Sequence, residues 1–246
     1  MNQVFIGADS RKPIVGQVCR HSILRRSPRT DVRLIDRQDM TDRGLYWRRS
    51  EFVGNMEVDT SDRKPFSTEF SFTRFLTPFL AGEDATWALF CDDDFLFLDD
   101  ISRLFTYADP RYAVMCVKHR HNPTEEIKMN SKVQTIYRRK NWSSLTLWNC
   151  KHPATKALTI KDVNERTGQW LHAFEWLEDK DIGEIPEEWN FLAGVSPTTT
   201  CVPHALRAIH YTLGGPWFDE WKGRDLSALW EAEAKDFAAH AVEKAA

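Results

Sequence analysis

The stretch WALFCDDDFLFLDD, residues 87–100, constrains this chain more than any other. Five uncharged residues, Trp87 to Cys91, have the composition of a strand covered on both faces. Three adjacent carboxylates follow, and then four more apolar residues, Phe95 to Leu98. Carboxylates between two buried runs cannot simply fill a core, because dense like charge raises their pKa values or demands a cation. Side chains alternate along an extended backbone, so Asp92 and Asp94 point to one side and Asp93 to the other. Two carboxylates at that spacing can hold one hard divalent ion, directly or through water, and the ion can bridge two phosphates of a nucleotide sugar. The competing reading is a strand-ending turn with solvated side chains. That reading suits Asp99 and Asp100 better, as caps for the segment ISRLF.

The flanking segments predict a sheet around this strand. QVFIGA, residues 3–8, is a short apolar run closed by Asp9 and Ser10 and reads as a first buried strand. Pro13 is placed to open a helix through Val18, Cys19, Ile23 and Leu24, which Ser27-Pro28 stops. Val32 to Ile35 supply a second strand. This β-α-β opening predicts an α/β fold with a single Rossmann-like, mostly parallel twisted sheet flanked by helices. Ligands are then expected at residues 7–10, beyond the first strand. Residues 41–66 are polar, rich in Arg and Asp, and predict a long surface loop. STEFSFTRFLTPFLAG, residues 67–82, spaces Phe72, Phe75, Leu76, Phe79 and Leu80 as a helix does, with Pro78 kinking it or shifting its boundary and Gly82 capping it. Further strands are expected at 112–117, at 142–149 and around 208–211, and a helix at 170–177. The Ala-rich tail, 225–246, reads as an amphipathic helix appended to a domain of residues 1–224. It is expected to pack on that domain, with a membrane surface as the alternative.

Composition narrows the function classes. The 246 residues suit one large α/β domain, and fifteen Phe with ten Trp supply a sizeable core. A formal net charge of −3 gives no global basic field for nucleic acid or anionic lipid. No run of about 18 apolar residues occurs, so no transmembrane helix is expected, and the apolar stretch near the N-terminus is too short for a signal peptide. Five widely spaced cysteines with no C-x-x-C pair argue against a disulfide framework or a cysteine-based zinc site. The cytosol is the expected location.

Four segments together carry a family resemblance: VFIGAD near the start, FSFTRFLTPFL at 70–80, LFCDDDFLFLDDISRLF at 89–105 and AIHYTLGGPWF at 208–218. In this order the chain resembles the glycogenin-like and bacterial lipopolysaccharide galactosyltransferase-like enzymes of glycosyltransferase family 8. The resemblance implies the GT-A fold and a nucleotide-sugar donor. It places metal ligands on Asp92, Asp94 and His210, a set that suits Mn²⁺, with Mg²⁺ as the alternative. It places Ile6, Gly7, Ala8 and Asp9 around the base and ribose of a UDP-sugar, and counts Asp93 among the nucleotide-contacting residues. Arg74 would balance the donor phosphates or the sugar.

Departures from the family pattern matter as much. The family ends in H-x-x-G-x-x-K-P-W, and here the Lys position is missing from HYTLGGPW. Gly214 and Gly215 could offer backbone N–H groups to phosphate, and a cation would otherwise come from Arg74, Lys118, Arg120 or Lys222. The D-Q-D segment of the sugar pocket has no clean match near 172–176. The expected reaction moves a hexosyl group to an acceptor hydroxyl on a carbohydrate or glycolipid, with retention of configuration as the family implies. An inverting enzyme would need a carboxylate base, for which Glu175 and Asp219 are the candidates. Trp142, Trp148, Trp170, Trp176 and Trp217 are candidates for sugar stacking. His119 and His121 read as part of a solvated basic loop, 118–140, placed to cover the donor or to select the acceptor. Two rival readings remain at this point: a metal-dependent phosphohydrolase, and a catalytically silent carbohydrate-binding protein on the same fold.

Overall fold

The computed structural model describes residues 1–119, 127–128, 132–133, 139, 141–196, 205–224 and 226–245, with the backbone alone at 127–128, 132–133 and 241–245. The chain opens with β1 (Gln3–Gly7), α1 (Pro13–Arg26) and β2 (Asp31–Ile35), followed by α2 (Arg37–Asp42) and a hairpin of β3 (Ser50–Val53) and β4 (Met56–Asp59). A 3-10 turn, Thr73–Leu76, runs into α3 (Thr77–Leu80), and then come β5 (Trp87–Cys91), β6 (Phe95–Phe97), α4 (Ser102–Phe105) and β7 (Val114–Cys116). Two short strands, β8 (Ile127–Lys128) and β9 (Lys132–Val133), precede β10 (Leu145–Asn149), α5 (Pro153–Lys156), α6 (Ile160–Glu165) and α7 (Gly168–His172). The chain closes through β11 (Ile182–Glu184), β12 (Phe191–Leu192), β13 (Ala208–His210) and α8 (Ser227–Ala245).

The main sheet has the order β11-β7-β10-β5-β1-β2. β1 pairs in parallel with both β2 and β5, β11 pairs in parallel with β7, and β10 runs against its two neighbours. This is the expected α/β architecture, a mostly parallel sheet flanked by helices. Successive residues of β1 feed opposite faces: Phe5 joins Phe70, Phe75, Phe90 and Trp148 on one side, while Val4 and Ile6 join Leu89, Cys91 and Leu147 on the other. A smaller sheet, β12-β13-β6, packs with α1 and α8 through Val18, Leu96, Ile209 and Trp230.

Several local expectations require correction. The loop expected at 41–66 contains the β3–β4 hairpin, whose turn carries Gly54 at φ +60°. The helix expected over 67–82 forms only at Thr73–Leu76 as 3-10 and at Thr77–Leu80 as α3. Pro78 sits in the first turn of α3, where its missing N–H costs nothing, so it opens that helix rather than kinking a longer one. Gly82, at φ +83°, follows it as a C-terminal stop. The helix expected at 170–177 ends at His172, and Phe174 adopts φ +49°. The loop expected at 118–140 falls largely outside the described residues.

Candidate functional site

β1 and β5 are neighbours, yet β1 continues to β2 on its other side, so the sheet changes winding direction between them. Open α/β sheets bind ligands beyond the carboxyl ends of strands at such a switch point. Here those ends are Gly7 to Asp9 and Cys91 to Asp94. The acidic triplet is a branch in the backbone: β5 belongs to the main sheet, and three residues later β6 belongs to the smaller one. Asp92 N–H donates to the Ser144 carbonyl, and Tyr211 N–H donates to the Asp94 carbonyl, tying each sheet to one end of the triplet at 2.9 and 3.0 Å.

Register then brings in the histidine. β13 pairs antiparallel with β6 so that His210 stands opposite Phe95, and the two rings stack at 4.4 Å between centroids. His210 Nε2 lies 3.3 Å from Asp94 Oδ1, and one ligand atom from each of Asp92, Asp94 and His210 falls within 4.8 Å of the others. The imidazole is oriented from behind: its Nδ1 lies 3.0 Å from Asn190 Oδ1, and Asn190 Nδ2 donates to Ser144 Oγ at 3.0 Å. A carbonyl oxygen can only accept, so the His210 proton sits on Nδ1 and Nε2 presents its lone pair to the carboxylates. Two carboxylate oxygens and one imidazole nitrogen form a donor set that a divalent ion fits.

Arg74 closes another side. Its guanidinium donates to Asp92 Oδ1 at 2.7 Å and to the Ser143 carbonyl at 3.0 Å, and lies 5.3 and 5.2 Å from the ring centroids of Phe70 and Phe90. Removing one partner of so enclosed a pair leaves the other charge buried and uncompensated, typically at a cost of about 3–5 kcal/mol. Arg74 thus grips the Asp92 carboxylate as well as bringing positive charge to the site. Ser143 Oγ in turn contacts His172 Nδ1 at 2.8 Å.

On the opposite side of the triplet Asp93 is 1% exposed and receives Lys12 Nζ at 3.3 Å. Burial pushes the Asp93 carboxyl up to about 8; Lys12 pulls the other way, and Asp94, Asp92 and Asp9 add to the rise. Burial alone would depress the Lys12 ammonium, but Asp93, Asp94 and Asp9 outweigh it and hold the group above its ordinary value. Lys12 Nζ also lies 5.4 Å from the centroid of Trp217. Asp9 is gripped by Arg11, which donates its backbone N–H at 3.1 Å and its Nε–H at 2.7 Å. Burial raises the Asp9 pKa and the bonds from Arg11 more than reverse this, so the carboxyl lies below its ordinary value.

The sequence-derived candidates therefore divide. Asp92, Asp94, His210 and Arg74 converge; Asp93 and Asp9 line the adjoining wall. Ile6 is a core residue of the sheet face, and Ala8 holds β2 through its N–H to the Ile35 carbonyl at 3.0 Å. At Gly7, the space expected to admit a ligand against the backbone is filled by the Phe70 ring, which a Cβ there would overlap. Gly214 donates its N–H to the Tyr211 carbonyl at 2.9 Å, so that group is committed to a turn and not turned to phosphate. At Gly215 a Cβ would overlap Trp217. Glu175 is exposed, and among the described residues no hydrogen bond or ion pair joins it to the cluster. Asp219 pairs with Lys222 on the surface. Lys118 donates to the Ile182 carbonyl at 2.8 Å, and Arg120 and His121 lie outside the described residues. Trp148 is buried in the core and Trp142 donates to the His119 carbonyl at 3.1 Å; Trp217 is the indole that meets the site, through Lys12. Lys12 and Asn190 were missed. The only sequence signal for Lys12 is its place between the first strand and the Pro13 that opens α1.

The chain is 46% identical to Protein CDI of Arabidopsis thaliana over 240 residues, covering 96% of this chain and 86% of that protein. No protein-family model matches it. Among solved structures it is similar to the glycosyltransferase GlyE of Streptococcus pneumoniae, with a TM-score of 0.59, 12% identity, and coverage of 99% of this chain and 64% of GlyE. It thus spans just under two thirds of GlyE. It is also similar to the galactosyltransferase LgtC in complex with donor and acceptor sugar analogues, with a TM-score of 0.55, 14% identity and 95% of each chain covered. The fold is the GT-A glycosyltransferase fold.

Proposed function

The chain belongs to the family of Arabidopsis thaliana Protein CDI, and from its site we infer a metal-dependent glycosyltransferase that moves a hexosyl group from a UDP-sugar to a hydroxyl of a carbohydrate or glycolipid acceptor. The observation that carries this reading is the meeting of Asp92, Asp94 and His210 at the switch point of a GT-A sheet. These three residues would hold Mn²⁺, or Mg²⁺ in its place. Such an ion, when bound, offsets the charge that grows on a departing diphosphate.

The chain's own residues do the rest. Asn190 keeps the His210 lone pair aimed at the ion site, and Arg74 fixes the Asp92 carboxylate while adding positive charge beside it. Lys12 takes the part of the lysine absent after His210: it comes from the start of α1, on the Asp93 side, with Nζ 3.3 Å from Asp93 Oδ1 and its ammonium held above its ordinary value by the acidic groups around it. A preorganised cation of this kind acts where leaving-group charge develops. Asp9, locked by Arg11 at the end of β1, is a fixed acceptor for a ribose hydroxyl. Retention of configuration is what the resemblance to glycosyltransferase family 8 implies. Cys19, Cys91, Cys116 and Cys150 are free thiols, in keeping with a reducing compartment such as the cytosol. No helix is long and apolar enough to cross a membrane among the described residues.

A donor screen by UDP release, run with and without Mn²⁺, tests the reading. Wild-type protein is expected to release UDP from at least one UDP-sugar only with the metal present. Asp94→Ala is expected to abolish that release while leaving the circular dichroism spectrum unchanged. Undiminished metal-dependent release by this variant would overturn the assignment.

A further inference from the structure

A second cluster of metal-ligating groups lies where α8 crosses α1. It stands nine residues along α1 from Lys12, roughly 13 Å at the rise of an α-helix, and it takes no part in the function proposed above. His21 on α1 faces Asp236 and His240 on α8, and one ligand atom from each lies within 4.8 Å of the others. His21 Nε2 is 3.6 Å from Asp236 Oδ2, and His240 Nδ1 is 3.7 Å from the same oxygen. Asp236 and His240 are four residues apart on one helix, so they necessarily share a face. A tetrahedral zinc ion with bonds of about 2.0–2.1 Å keeps its ligand atoms roughly 3.3–3.4 Å apart, so the two separations from Asp236 need to close by a few tenths of an ångström. The two imidazole nitrogens, within 4.8 Å of each other, need to close by at most about 1.5 Å, a shift that side-chain rotation supplies.

The surroundings of His21 add an independent observation. Its Nδ1 lies 2.9 Å from Glu233 Oε1, and the Glu233 carboxylate is 4% exposed and held by Arg26 Nη2 at 3.0 Å. A carboxylate accepts the Nδ1 proton and leaves the Nε2 lone pair directed at Asp236. Carboxylate-backed imidazoles of this kind are the common arrangement behind zinc-bound histidine. The donor set, two imidazole nitrogens and one carboxylate oxygen, selects a late first-row ion over Mg²⁺ or Ca²⁺. We propose that His21, Asp236 and His240 form a zinc site that fastens α8 to α1, with Glu233 orienting His21. His240 Nδ1 also lies 2.9 Å from the Asp236 carbonyl oxygen, a bond that gives way when the ring carries its proton on Nε2 and binds through Nδ1. Arg25 Nη1, 3.2 Å from Asp236 Oδ2 and 3.4 Å from Glu233 Oε2, competes with the ion for Asp236.

The test uses the full chain carrying Asp92→Asn and Asp94→Asn, which keep an oxygen acceptor for Arg74 while removing the charge that would hold an ion, so that the result is independent of the transferase reading. Chelator-treated protein is titrated with Zn²⁺ by calorimetry, and with Co²⁺ by visible absorption. One Zn²⁺ per chain, a cobalt spectrum of tetrahedral type and a Zn²⁺-dependent rise in Tm are expected. Adding His240→Ala or Asp236→Asn should weaken Zn²⁺ binding at least tenfold and remove the rise in Tm. Glu233→Gln should weaken it about 10–100-fold, and Arg25→Gln should tighten it. His240 is exposed, so its replacement leaves folding intact, as circular dichroism will verify. No stoichiometric Zn²⁺ in the triplet variant, or equal affinity with and without His240, would overturn the proposal.

Discussion

Lys12 and Asp93 meet across 81 residues of sequence, 3.3 Å apart, beneath the indole of Trp217. Lys12→Met keeps the length of the side chain and removes its charge. It should lower the turnover of metal-dependent UDP release about 10²-fold, the usual cost of deleting one preorganised donor to developing charge, while Mn²⁺ affinity changes far less. Steady-state kinetics beside a metal titration separate the two, and an unchanged turnover would remove Lys12 from the mechanism. Asn190 predicts the opposite pattern. Asn190→Leu frees the His210 ring, so Mn²⁺ affinity should fall about 10–100-fold while turnover at saturating metal largely recovers. At this scale the clustering of Asp92, Asp94 and His210 was legible and the residues that support it were not. Asp92 and Asp94 sit at a spacing whose geometry is local, and His210 stands in a recognisable run. Lys12, Asn190 and Ser143 reach the site only through strand order and register, which no short window of sequence contains.

Among the elements, the spacing of Phe72, Phe75 and Leu76 correctly marked a buried face but overstated its length. Phe70 turns into the sheet beside Gly7 instead of continuing a helix, and Phe79 and Leu80 remain partly exposed. The β3–β4 hairpin was illegible for another reason. Met56 and Val58 alternate with Glu57 and Asp59, but the run is only four residues long and sits in a charged stretch, and Phe52 on the other face is 73% exposed. The central strands were legible because both faces of the sheet are covered, which demands continuous apolar runs. A pH effect belongs to the joint between α1 and α4. There Ser27 Oγ donates to Asp100 Oδ1 at 2.5 Å and accepts from Ile101 N–H, and Ser102 N–H donates to the same carboxylate. The bond from Ser27, followed by that from Ser102, holds the Asp100 carboxyl below its ordinary value. The charged form therefore favours the folded state. Its contribution is complete above the ordinary carboxylate range and is lost as pH falls through the lowered value. Tm measured between about pH 6 and pH 3 should fall less steeply for Asp100→Asn than for wild type, the gap between them closing toward the acid end. Parallel curves would contradict this account.

For the molecule as a whole, the triplet at 92–94 is where two sheets part, so a ligand there touches both. Binding to the folded chain alone raises its stability, by about 2.7 kcal/mol at a ligand concentration one hundred times Kd. Mn²⁺ with UDP should therefore raise Tm, and Asp94→Ala should abolish the rise. A rise that persists in this variant would locate the ligand elsewhere. The same layout gives Gly7 a wider reach than its lack of a side chain suggests. Phe70 fills the hollow that Gly7 leaves, and its ring centroid lies 5.3 Å from the Arg74 guanidinium, which grips Asp92. Adding one methyl group to β1 would thus be transmitted through an aromatic lever to the Asp92 carboxylate. Positions 7 and 70 can be exchanged only as a pair.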